Sequence, residues 1–459
     1  MDLLTLTYNY DHPGVLGALS ALDLLLSFVW ILIVLLALYL FKSGKQGLAY
    51  HYMMPLFFFK LLGLGFFIAM YVYYYHGGDG SAYWSVSNGL VDLSLTDFSS
   101  FLKAMGTSMA ERGTYNEFLL HNIPYPSWIT AEPEGFFTGK IGWFFDLISG
   151  KNFLLMSLYF MLFAFIAHWK LYQFIVDHYK IGKKTYFHWL FLFIPSIAFW
   201  NTALTKDALV FIGIAHLLRH LLLWVDFKER SLKRLLWMIF YSWLIIKVRG
   251  ISFSLLFSAF FVAWLMGAVN RLESRTAKLV LRLGLVLFGV VLVLAGMYFL
   301  QLDSLVNTYL NEAQVNAEDF AQNSLYTGAR YDLGITDFSL SGMIKVAPLA
   351  IVTGIFRPFI YEAMSATLIL NGIEGTLFLW LFFKKFLLHL RSALRHIINS
   401  RILLFSLIFV LMYAFATGFS SIIFGVLVRL RAPLLAFLVI VIYWKDFERE
   451  DDPEESVVS

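Results

Sequence analysis

The chain has 459 residues, 59% hydrophobic and 14% charged, with a net charge of +4 and no cysteine. Soluble domains carry about 25% charged residues, so this composition excludes an ordinary soluble enzyme. The Lys and Arg read as topology signals and give no ground for nucleic-acid binding. Disulfides, zinc–thiolate centres and thiol nucleophiles are also excluded.

With a mean hydropathy of +0.72, the chain reads as an all-α, polytopic helical membrane protein. About 11 spanning helices are expected, with a re-entrant segment and interfacial amphipathic helices. The first apolar run, about residues 19–41, is too long for a signal-peptide core and has no basic n-region, so it is read as a retained span. The second runs from about Met54 to Tyr75. Lys42 and Lys45 lie between them and place that loop in the cytoplasm. The chain then emerges into an outer loop at about 76–150, opening with His76-Gly-Gly-Asp79-Gly-Ser-Ala-Tyr-Trp84. Within it, Thr96 or Asp97 can cap a short helix with Phe98, Phe101, Leu102, Met105 and Met109 on one face. That segment is too short to span and fits the interface. A second amphipathic piece, Gly135 to Leu147, leads into the third span at about 153–174.

The fourth span, about 187–200, ends in a polar corner with Asn201, Thr202, Thr205, Lys206 and Asp207. The fifth follows at about 207–224, with Asn201 or Thr205 as N-cap and Asp207 in the first turn. The sixth and seventh, about 235–247 and 251–268, meet outside at Lys247-Val-Arg249-Gly250. The eighth, about 279–300, precedes a second outer loop at about 301–342, whose Leu302, Leu305, Val306, Tyr309 and Leu310 form an amphipathic stretch. In 343–360, Lys345, Pro348, Gly354, Arg357 and Pro358 interrupt the apolar run. Parity makes this segment re-entrant, which is tolerable only where protein or water lines it. Spans at about 364–386, 402–421 and 430–444 follow. Residues 1–445 thus form one integral membrane domain, and 446–459 an acidic cytoplasmic tail.

On this topology Asp79, Lys206, Asp207, Lys247, Arg249, Arg330, Arg357, Glu362, Arg429 and Arg431 fall on or just inside the outer face. Outer basic residues run against the positive-inside rule. Single ones serve as snorkelling anchors, but here they recur beside Pro or Gly breaks. Arg presents a rigid fork suited to phosphate. Arg357 and Arg429 or Arg431 are therefore expected to converge, their charge compensated by a fixed carboxylate such as Glu362 or by a bound phosphate. Asp79, in a Gly-rich turn, is either a general base for an acceptor hydroxyl or the closing residue of an Asx turn. No Walker A, HExxH or GxSxG motif is present. His76 and His121 are candidate ligands, and a divalent metal at Asp79 stays open as a cofactor.

Certain of these pieces carry a resemblance: Gly78-Asp79 with Tyr83; Pro195-Ser196 with Phe199-Trp200 and Lys206-Asp207; Tyr331-Asp332-Leu333-Gly334; and Arg357-Pro358-Phe359 with Glu362. Together they resemble a group of polytopic proteins common in Bacteroidetes surface-polysaccharide loci, and the layout is similar to GT-C-type glycosyltransferases and O-antigen polymerases. The resemblance implies an enzyme of the bacterial inner membrane with a periplasmic active site. A polyprenyl-linked glycan donor and a glycan or lipid acceptor would be its partners. It places Asp79 at the acidic position of the first outer loop, and Arg429 and Arg431 at a late arginine site. Two alternatives stay open: a transporter or flippase for a lipid-linked or anionic solute, and a non-catalytic membrane subunit of a surface-assembly machine.

Overall fold

A computed structural model describes residues 20–74, 77–108, 112–123, 132–179, 181–183, 185–270, 329–334, 340–363 and 365–447, with scattered positions between 271 and 328. Among the described residues the chain is all-helical, without a strand. Seven helices are long and apolar enough to cross a membrane. The expected eighth span, the amphipathic stretch at 302–310 and the acidic tail beyond residue 447 lie outside the described residues.

The chain divides into two compact units: Met1–His178 with Leu192–Phe253, and Tyr179–Phe191 with Ser254–Ser459. In the first unit, α1 (Ala21–Lys42) starts at a capping box between Ser20 and Asp23. α2 (Leu48–Ala69) continues in π-helical form through Tyr74. α3 (Asp79–Thr96) corrects the expected turn, because Asp79 opens a helix. The turn itself is Gly77 and Gly78, whose φ of 143° and 132° suit glycine alone. Asp97 caps α4 (Phe98–Gly106), accepting from the amides of Ser99 and Ser100 at 2.9 and 3.2 Å. α5 (Arg112–Leu120) and α6 (Pro133–Ser149) follow. α6 lies close on α3 because Gly139 and Gly142 leave room for Val86 and Ser87. α7 (Phe153–His178) follows.

The fourth expected span is interrupted. Residues 187–200 form two six-residue helices, α8 (Phe187–Leu192) and α9 (Pro195–Trp200). α10 (Lys206–Val225) begins as expected: Thr205 is the N-cap, accepting from the Ala208 amide at 3.1 Å, and Asp207 lies in the first turn. Asn201 instead ends α9. The sixth and seventh spans form one run, α11 (Leu232–Asn270), broken at Arg249 where φ is −161° and ψ 86°. A straight helix of that length would reach ~58 Å, about twice a hydrocarbon core.

The second unit holds α12 (Leu340–Phe356), α13 (Ala366–Lys385), α14 (Leu390–Asn399), α15 (Arg401–Ser420) and α16 (Phe424–Ile442). α12 and α15 meet through reciprocal small residues. A Cβ on Gly354 would overlap the Ala414 carbonyl, and one on Gly418 the Ala350 carbonyl. This small-xxx-small contact brings two backbones into register without a bulky side chain between them.

Candidate functional site

The polar corner between α9 and α10 is built from three surrounding elements of the first unit. Lys206 is the first residue of α10, a position where the helix dipole disfavours a cation. Glu132, just before α6, offsets this by accepting from Lys206 Nζ at 2.8 Å. Asp207 is fully buried and accepts from Arg249 NH2 at 2.8 Å. The helix break at Arg249 is what delivers that guanidinium. Burying this pair is tolerable because the charges are matched; removing either partner would break a buried ion pair. The start of α3 abuts the same corner, since a Cβ on Gly80 would lie 3.7 Å from the Leu204 carbonyl oxygen. Asp79, half-buried, is the residue before it. Lys247 is exposed on α11.

A second polar cluster lies in the second unit. Arg357 donates from Nε to both Glu362 oxygens, at 2.9 and 3.2 Å, and from NH2 to Glu362 Oε1. Glu362 also accepts from the Phe359 amide at 2.8 Å. The guanidinium lies 5.0 Å over the Tyr331 ring and 5.4 Å from that of Phe424. Those rings are held by paired backbone bonds, Tyr331 N to Ile422 O at 2.8 Å and Phe424 N to Ala329 O at 3.0 Å. Arg330 forms an isolated bridge with Ile423 beside them. Arg431 is fully buried and donates from NH1 to the carbonyls of Ile355, at 3.2 Å, and Arg357. It thereby caps the open carbonyl end of α12. Glu374 stands 3.7 Å from its NH2. The structure thus brings Arg357 and Arg431 together, each beside a carboxylate, while Arg429 is half-buried on α16.

Sequence reasoning passed over Glu132, Glu374 and Lys60. Lys60 lies near the midpoint of the apolar run Leu48–Tyr74 and is fully buried. Its Nζ donates to the Ile197 carbonyl at 3.0 Å and lies 5.3 Å from the Phe211 ring centre. Among the described residues no carboxylate lies within ion-pair distance of it. The signal was legible: a lone ionisable residue within a span is a functional-site candidate by default.

Among the described residues no group of three His, Asp or Glu side chains is arranged to hold a metal ion. His121 stands 3.5 Å from Asp97, and His76 lies outside the described residues. The chain matches no family model, no curated protein sequence and no solved structure.

Proposed function

We propose that the chain is an inner-membrane glycosyltransferase or polysaccharide polymerase that moves a sugar or repeat unit from a polyprenyl-linked donor to an acceptor at the periplasmic face. Support comes chiefly from the corner of the first unit, where Lys206, Asp207 and Arg249 meet Glu132 beside the start of the Asp79 helix. Lys206 and Arg249 would take the donor phosphate. Glu132 is the displaceable counter-ion, its side chain being 42% exposed, against 0% for Asp207. Asp79 would take the proton of the acceptor hydroxyl. In the second unit Arg357 and Arg431, already matched by Glu362 and Glu374, would shape the outer surface with Arg330 and Arg429. About 11 crossings, with 343–360 entering and leaving on the outer side, complete the reading.

One observation favours a second reading. Lys60 is a buried mid-span cation without a carboxylate partner among the described residues, a feature natural to a transporter of anionic solutes.

A deletion strain tests the enzyme reading. It should lose surface polysaccharide and accumulate lipid-linked glycan. Asp79→Asn and Arg249→Lys, inserted at normal levels, should fail to restore it, the second because the bidentate fork is lost. Full restoration by both would remove the assigned roles, and an unchanged glycan profile in the deletion strain would remove the reaction. Topology is tested separately. The chain has no native Cys, so single cysteines at Ser94 and Ser459 should label from opposite sides of the membrane, outside and inside respectively. Labelling of both from one side would overturn the arrangement.

A further inference from the structure

Two features flank the short helix α9. Lys60 occupies the Ile197 carbonyl, the acceptor that an unbroken α-helix would give to the amide of residue 201. One turn on, Asn201 is fully buried, and neither atom of its side-chain amide has a hydrogen-bond partner among the described residues. The i, i+4 relation between residues 197 and 201 sets the Lys60 ammonium and the Asn201 amide on the same turn. Lys60 and Arg431 are the two buried Lys or Arg side chains among the described residues. Arg431 has Glu374 beside it; Lys60 has a carbonyl and an aromatic face. The site therefore lacks one negative charge, one acceptor for the Asn201 NH2 and one donor for the Asn201 oxygen.

We propose that Lys60 and Asn201 form an intramembrane site for a singly charged phosphomonoester or inorganic phosphate. The chemistry selects this class. A carboxylate supplies charge and acceptor oxygens but no donor for the Asn201 carbonyl. A phosphodiester, as in bulk phospholipid, has the same lack. The monoanion of a phosphomonoester, with one O–H, or of inorganic phosphate, with two, supplies all three: a charge of −1 against Lys60, oxygens for ammonium protons and the amide NH2, and an O–H for the amide oxygen. The site stands apart from the glycosyltransferase reading. A polyprenyl monophosphate and a free phosphate share the recognised group, and the test separates them.

The test uses the purified full-length protein in nanodiscs, with farnesyl phosphate, inorganic phosphate, dimethyl phosphate and farnesol as probes in calorimetric titrations. At least one monophosphate should bind, dimethyl phosphate and farnesol should not, and Lys60→Met or Asn201→Leu should weaken binding at least tenfold. Asn201→Asp builds a carboxylate against Lys60. It should raise the melting temperature and abolish phosphate binding, which keeps the proposal testable if Lys60→Met does not fold. Binding of inorganic phosphate but not farnesyl phosphate would keep the site and assign it to free phosphate. Wild-type affinity in folded Lys60→Met and Asn201→Leu variants, or no monophosphate binding by the wild type at millimolar concentration, would overturn the site.

Discussion

Gly354→Leu is expected to abolish assembly of the second unit, with the protein recovered aggregated or degraded rather than as a monodisperse peak in detergent. Gly354→Ala should already be harmful, lowering stability by about 3 kcal/mol, the upper end of overpacking costs. The added Cβ meets the backbone carbonyl of Ala414, and at Gly418 the backbone carbonyl of Ala350. Neither obstacle is a side chain that can rotate away; relief requires α12 and α15 to separate. That contact is what orders the segment leading to Arg357, because Gly354 lies one turn before it and Ile355 accepts from Arg431. The same exchange at Gly65 of α2, with nothing within 4 Å of the added Cβ, should instead stabilise by about 0.5–1 kcal/mol through helix propensity. Thermal unfolding followed by size-exclusion chromatography reads both signs. A Gly354→Ala variant as stable as wild type would show that the two helices are not in backbone contact.

Local chemistry explains what was legible in the sequence. Thr205 and Asp97 were recognisable as caps because a short polar side chain before an apolar run has few better uses, and both cap in the structure. The helical class followed from composition alone. The counter-ions were not legible. Glu132 lies 74 positions from Lys206, and Glu374 stands on α13 while its arginine is on α16; no spacing rule connects such pairs. The sequence pattern also read 187–200 as one apolar span, because apolarity does not register the break at Phe193-Ile194 before Pro195, a residue that starts helices well and continues them poorly. Asp79 was read as part of a turn since Gly77-Gly-Asp-Gly80 is rich in turn residues. The positive φ is confined to Gly77 and Gly78, and Asp79 suits the first turn of a helix, a boundary that the run of turn residues does not reveal.

The contribution of Asp146 on α6 to stability should fall as pH rises from 5 to 8. Its side chain is fully buried. Oδ1 accepts from Trp84 Nε1 at 2.9 Å, and Oδ2 has no hydrogen-bond partner among the described residues. The charged groups facing it are Asp92 of α3, which opposes its ionisation, and Lys151 of the α6–α7 turn, which favours it and is itself paired with Asp92. Burial dominates and pushes the Asp146 carboxyl up to about 7, against the Trp84 hydrogen bond and Lys151. The unfolded chain titrates near 3.9. Between those values the folded protein holds a proton that the unfolded chain has lost, so this contribution declines as pH rises through the window and levels off above the folded value. A shift of about three pK units sets a ceiling of about 4 kcal/mol. Asp97 and Glu117 do not confound the measurement. Hydrogen bonds from Ser100 hold both below the usual carboxylate range, so their contributions are lost only at more acidic pH. Asp146→Asn keeps an acceptor for Trp84 and removes the titration. The melting temperature of the variant minus that of wild type should rise from pH 5 to 8, with the variant above wild type at pH 8. A difference that does not change with pH would show that Asp146 is not a buried acid titrating in that window.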